Sequence, residues 1–180
     1  RRHSFPTRRS SDLSLCARPA TRPLLLLTPP PALKTATFGW SAAAGCPTVQ
    51  GPDALVDGGT ISGPTGTWRV CTLPSRIKAS MTLPKVAGVL YQMNGRVDVG
   101  CDGGFNVPTT AAPVTSSTVG CTTALTADTN VTLTIEPGVI LYGGTGQSWL
   151  AVNRGNKVNA VGTSTKPIIF TSRDNVLGLN

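Results

Sequence analysis

Histidine occurs once in this 180-residue chain, at His3. A chain read from after that point has no imidazole. That excludes Ser-His-Asp and Cys-His catalysis, His-ligated zinc and a His-based pH switch. Chemistry must then come from carboxylates, cysteines or aromatic faces. Glycoside hydrolysis needs two carboxyl groups on one face, several ångströms apart. Glu136 and Asp98 are the outward-facing carboxylates, and strand alternation stacks neither of them on another carboxylate. Glu136 precedes Pro137-Gly138, where a carboxylate can satisfy turn amides. Asp98, Asp102 and Asn106 could offer oxygens to calcium, but the loop lacks the closing Glu of an EF-hand. No catalytic residue, metal site or cofactor is therefore assigned. Tyr142 and Trp149 face outward on the same alternation, and exposed aromatics can stack on sugars or dock a protein. They are the candidate surface-binding residues, although two aromatics on one coil are equally consistent with packing under a loop such as the 100–130 insertion.

The cysteines are Cys16, Cys46, Cys71, Cys101 and Cys121. In an exported protein, Cys101 and Cys121 would pair across a Thr/Ser/Gly/Pro-rich segment, 100–130. Cys71 is then left odd, either buried or paired with a cysteine beyond Asn180. Three cysteines without CxxC spacing do not suggest a metal site.

The elements that would position these residues are strands. Charged residues make up 13% and aromatics 5%, with 20 Gly and 15 Pro, which suits a turn-rich β chain. The net charge of +8 is not spread evenly. Residues 1–33 hold six arginines against Asp12, whereas 46–180 hold nine basic and seven acidic residues. The folded part is nearly balanced, so no nucleic-acid partner is expected.

Apolar-polar alternation recurs with a Gly turn. Leu133-Thr-Ile135 leads to Leu141, Leu150-Ala-Val152 to Val158, and Val89-Leu-Tyr91 to Val97. The offset from Leu133 to Leu150, from Ile135 to Val152 and from Leu141 to Val158 is 17 each time. One such unit cannot bury its own apolar row, but stacked units can. The expectation is an all-β parallel β-helix (a β-solenoid) of about three coils. Leu133, Leu150 and Ile168 would form one interior column, with Ile135, Val152 and Phe170 in the next. The outward row Leu90, Thr134, Ala151, Ile169 is mildly apolar and should be covered by a loop or a partner.

LTIEPGVIL (133–141), LAVNRGNKVNAVGT (150–163) and KPIIFTSRDN (166–175) resemble the opening coils of a family of bacterial secreted β-helix proteins, often lipoproteins. WRVCTLPSRI and GVLYQMNGRVDVG, within 68–100, resemble the N-terminal region of the same family. The resemblance implies a right-handed β-helix that continues past Asn180, so that this chain would be an N-terminal fragment truncated at its C-terminus. It implies an architecture more than an activity.

Four regions are expected. Residues 1–13, RRHSFPTRRSSDL, resemble a translated sequencing-adapter read. With 14–33 they form a disordered, non-native or untranslated head. Its apolar run 24–27 is far short of the roughly 20 residues a membrane span needs. Residues 34–46, KTATFGWSAAAGC, have the order of a signal peptide, and Ala43-Ala44-Gly45-Cys46 resembles a lipobox. Cys46 would carry the lipid anchor to the membrane, by default the outer membrane. Residues 47–67 would be a flexible tether. Residues 68–180 would be the N-terminal part of the β-helix, with the insertion 100–130.

The function expected from these readings is an exported bacterial cell-envelope lipoprotein acting as a non-catalytic binding scaffold. Its partner would be polysaccharide or another envelope protein. The alternative is a polysaccharide lyase or hydrolase with its active site in missing C-terminal coils.

Overall fold

The computed structural model describes residues 39–121 and 124–179. The adapter-like head and the first part of the signal-like segment lie outside the described residues. Among the described residues thirteen strands and one short helix follow in chain order. They are β1 (Val56–Gly63), β2 (Gly66–Thr72), β3 (Arg76–Ile77), β4 (Met81–Leu83), β5 (Val89–Met93), β6 (Arg96–Val99), β7 (Val114–Thr115), β8 (Ala124–Leu125), β9 (Thr132–Ile135), β10 (Ile140–Gly143), β11 (Trp149–Val152), β12 (Lys157–Ala160), β13 (Ile169–Thr171) and α1 (Arg173–Leu177).

The strands wind through three faces. Face A contains β2, β5, β10 and β13, with β1 on its edge. Face B runs β3-β6-β11 and face C runs β4-β9-β12. Every pairing between coils is parallel and in register. The chain is therefore an all-β parallel β-helix: three coils, with β13 placing a fourth strand on face A. The strands are rich in Val, Ile, Leu and Thr, which suit a pleated, half-buried surface.

Inward positions form columns. On face A, Cys71, Tyr91, Leu141 and Phe170 stack. On face B, Val97 lies on Leu150, and Ile77, Val99 and Val152 stack. On face C, Met81, Leu133 and Val158 form one column and Leu83, Ile135 and Ala160 another. Ile77, Leu83, Val99, Leu133 and Leu141 are fully buried in one continuous core.

The inward and outward parity read from the sequence holds, but the columns differ. Leu133 meets Val158, 25 residues on, not Leu150. Leu150 lies on face B and Ile168 leads into face A, so the 17-residue offset links strands on different faces. The same alternation occurs on all three faces, and a self-match cannot tell one face from another. The predicted row Leu90, Thr134, Ala151, Ile169 is likewise spread over three faces. Leu90 is covered, as expected of an outward apolar residue. With Trp68, Val70 and Tyr142 it forms a second core outside face A, against which Ile61 of β1 and Val176 of α1 pack.

The tether expected at 47–67 is part of the fold. β1 pairs antiparallel with β2 and closes the edge of face A. Upstream, Arg69 donates to the carbonyls of Ala43 (3.0 Å) and Ala44 (2.9 Å). Asp53 is buried, and its carboxylate accepts the backbone N–H groups of Lys78 (2.6 Å) and Ala79 (3.3 Å) between β3 and β4. Val49 and Leu55 pack on the core. The segment thus crosses coil one from face A to the corner between faces B and C. It caps an apolar end that would otherwise meet water.

The insertion leaves face B after Val99 and rejoins face C at Thr132. It contains the small antiparallel pair β7-β8. Asn156, in the turn from β11 to β12, holds both of its ends. Its Oδ1 accepts the N–H of Val131 (2.9 Å) and the hydroxyl of Thr129 (2.7 Å). Its Nδ2 donates to the carbonyl of Cys101 (2.8 Å). Gly100, at φ 65°, sits against this amide, and a Cβ there would fall on the Asn156 side chain.

Replacing Asn156 with Ala removes these bonds together and strands buried partners. The expected loss is about 3 kcal/mol of unfolding free energy in a denaturant titration, at roughly 1 kcal/mol per bond. Amide exchange should accelerate first at Cys101 and Val131.

Candidate functional site

Cys46 is bonded to Cys71, with Cα atoms 5.6 Å apart. This corrects two expectations. A sulfur in a disulfide cannot also carry a thioether-linked lipid, so Cys46 is not a lipid anchor in this structure. Cys71 is not odd either. The pairing follows from the cap: Cys71 points into the first coil's interior, and the segment crossing that end brings Cys46 over it. The signal-like residues 40–46 likewise pack on β2 and β5. Cys101 and Cys121 are bonded as expected, with Cα atoms 6.1 Å apart, and close the insertion into a ring.

Tyr142 points outward from the helix but is 2% exposed, under α1 and beside Trp68. It cannot offer a ring face to a ligand, which corrects its assignment as a surface-binding residue. Burial pushes the phenols of Tyr142 and Tyr91 above their usual range, with Glu136 adding to the effect at Tyr91. Glu136 accepts the N–H of Lys85 at 2.7 Å and so ties the corners of two adjacent coils. Its carboxylate is structural.

Trp149 remains, 45% exposed, at the start of β11 on face B. Its register neighbour is Arg96. The Arg96 guanidinium is bidentate to Asp98 at 2.7–3.0 Å. Asp98 also accepts Asn153 Nδ2 at 3.0 Å, and that amide reaches on to the carbonyl of Gly100 at 2.9 Å. Next along the chain, Arg154 is bidentate to Asp102, both bonds 2.7 Å. The same guanidinium lies 4.3 Å from the centroid of Phe105, which is 97% exposed. Face B therefore carries a polar strip with an exposed aromatic at either end. Trp149 to Asn153 spans four residues, about 13 Å at the rise of a strand.

Sequence reasoning found Trp149 and Asp98 but missed Phe105, Arg96, Asn153 and Arg154. Asp102 and Arg154 are 52 residues apart, and no local pattern joins them. The true coil length would have been needed to place them side by side. Asp98 and Asp102, considered above for calcium, each spend their oxygens on an arginine. Among the described residues, no group of three His, Cys, Asp or Glu is placed to hold a metal.

A larger cleft of about 1110 Å³ opens beside Trp149. Its floor is Leu150, Val152, Val158 and Phe170, which are inward column residues. That surface is of the kind one rung presents to the next. The ion-paired strip is the better candidate for recognition.

The fold and the strip define a β-helix protein with a polar, aromatic-flanked face. A family described as a pectate-lyase-like β-helix domain matches residues 113–177, about a third of the chain. The match runs from the second half of the insertion through β9–β13 into α1. No curated protein and no solved structure matches the chain.

Two measurements test this geometry. A non-reducing peptide map should recover Cys46 crosslinked to Cys71, whereas a diacylglyceryl adduct on Cys46 would refute the pairing. The second is a pH titration. The hydrogen bond from Arg154 holds the Asp102 carboxyl below its usual value; burial opposes it, and Gly104 N–H and the arginine charge add smaller downward pulls. A lowered folded value means the clamp is intact above the ordinary aspartate range and is lost as pH falls through the lowered value. The NMR signal of Arg154 Nε–H should therefore stay put through the ordinary range and shift only in stronger acid. In Asp102→Asn it should sit at the shifted position throughout.

Proposed function

We propose that this chain is an exported, non-catalytic scaffold whose face B binds polysaccharide. One observation carries the reading: Trp149 and Phe105 lie exposed at the two ends of a strip of paired Arg, Asp and Asn side chains. Aromatic faces take the apolar faces of sugar rings, and fixed amide and guanidinium groups take their hydroxyls. Between the rings the strip is polar, which favours a glycan over an apolar protein partner. The arginines of the strip are bound to carboxylates, so they offer little to a phosphate backbone. Two disulfides favour an extracytoplasmic setting, such as a bacterial cell envelope.

A second reading, a polysaccharide lyase or hydrolase, draws on the description of the matching family. Against it, Asp98 and Asp102 are held by arginines, and Glu136 is bonded into a corner.

The test is affinity electrophoresis of the 180-residue chain in gels containing dextran, mannan, xylan or polygalacturonate. At least one should retard the protein. Trp149→Ala should weaken that retardation about tenfold, or ~1.4 kcal/mol, while Thr82→Ala on face C leaves it unchanged. No retardation by any of these polymers would sink the binding reading. An unsaturated product formed from polygalacturonate would favour the lyase.

A further inference from the structure

The two disulfides sit in different chemistry. Cys71 is fully buried in the apolar core, and its partner Cys46 contacts the carbonyl of Val70. Cys101 and Cys121 lie at the base of the insertion beside a cation. Arg76 Nη1 is 3.1 Å from Cys101 Sγ and also contacts Cys121 Sγ. Arg76 is the register neighbour of Asp98, whose oxygens are taken by Arg96 and Asn153. Among the described residues Arg76 has no carboxylate in ion-pair range. Its charge is turned on the sulfurs instead.

A disulfide sulfur is a weak acceptor, whereas a thiolate beside a guanidinium gains a charge-assisted bond. The arginine therefore gains most when the bond is open. It favours the thiolate of either cysteine, nearer as it is to Cys121 than to Cys101, so exposure decides which sulfur is attacked. Cys101 is 8% exposed, while Cys121 is partly exposed in a turn after Gly120.

We propose that Cys101–Cys121 is a thiol-exchange site, opened by an external dithiol, and that Arg76 activates it. A thiolate of the dithiol attacks Cys121 Sγ. The S–S bond breaks, and its electron pair leaves on Cys101 Sγ beside Arg76. The second thiolate of the reagent then attacks its own sulfur in the mixed disulfide. Cys121 leaves as a thiolate, and the reagent departs as a disulfide. Two electrons pass to the protein. Opening removes the covalent closure of the ring that contains Phe105: Asn156 and Arg154 still hold the Cys101 end, and the Cys121 end is left with the hydrogen bonds from Asp102 N–H to Ser116 and Thr118. The inference does not depend on the glycan reading.

The test equilibrates the folded chain with mixtures of reduced and oxidised dithiothreitol. Alkylation and peptide mapping then score each cysteine, with circular dichroism reporting the fold. Cys101 and Cys121 should open in mixtures at least about tenfold less reducing than those that open Cys46 and Cys71. Arg76→Met should shift the first transition about tenfold toward more reducing mixtures, and Arg76→Lys should shift it less. Both disulfides opening together, or an unmoved transition in Arg76→Met, overturns the proposal. If the Met variant does not fold, trapping decides on the parent protein. A monothiol such as glutathione should leave its adduct on Cys121, and an adduct mainly on Cys101 overturns the assignment.

Discussion

Each rung of this protein buries its inward side chains only against the rungs before and after it. That dependence sets most of what is seen. Strands are short because a face is narrow. Pairing is parallel and in register because a slip by one residue would turn Leu133 outward and a threonine inward. Among the described residues no rung precedes the first, and its apolar side is covered by something that is not a rung. Residues 46–55 and β1 supply that cover. The burial of Asp53 is part of the same solution: its carboxylate satisfies two backbone amides where the cap crosses the corner.

The outside of the helix repeats the logic on a smaller scale. Face A carries Trp68, Val70, Leu90 and Tyr142 outward, and such a row is costly in water. α1, packed against β1 and β10, closes over it, with Ile61 of β1 at the edge. Face B is covered only in part: the Cys101–Cys121 end of the insertion lies over Arg76, and Asp98 is buried, while Arg96 and Arg154 stay about half-exposed. Its outward residues are instead neutralised in pairs, Arg96 with Asp98 and Arg154 with Asp102. In each pair the carboxylate is largely buried and the guanidinium about half-exposed, so water still screens the pair and limits its contribution to stability. Held on a sheet, these side chains keep their hydrogen-bonding groups at set positions.

The parity of Leu133, Ile135, Leu150 and Val152 was legible in the sequence, because alternation with period two is local. Which rung lies on which was not, because it depends on coil length, and an insertion of about thirty residues lengthens the second coil. The same gap hid the Asp102–Arg154 clamp and the neighbourhood of Trp149. Tyr142 was misplaced for a different reason. Alternation sets only that Tyr142 points outward from its strand; whether it is covered depends on a helix from the end of the described chain. Cys46 was misread because a run of small residues before a cysteine carries two meanings. It can be a processing signal, or it can be a close-packed approach to a disulfide. Only the position of Cys71, at the open end of the first coil, separates the two.

The insertion sits where these constraints meet. An excursion from a solenoid must leave and return at the same rung, or the columns beyond it lose register. Here it leaves from face B at Gly100 and returns to face C at Thr132, and one amide, Asn156 of the next coil, bonds to both ends. With its ends fixed, the loop can vary without disturbing the core. Its first residues carry Asp102 and Phe105 onto the edge of face B, so the loop contributes half of the exposed strip while the coils contribute the rest. In the glycan-binding reading proposed above, specificity would change with the loop alone. The ring closed by Cys101 and Cys121 constrains the half of the strip that the loop carries. In that reading the guanidinium beside those sulfurs would bear on recognition without touching the ligand.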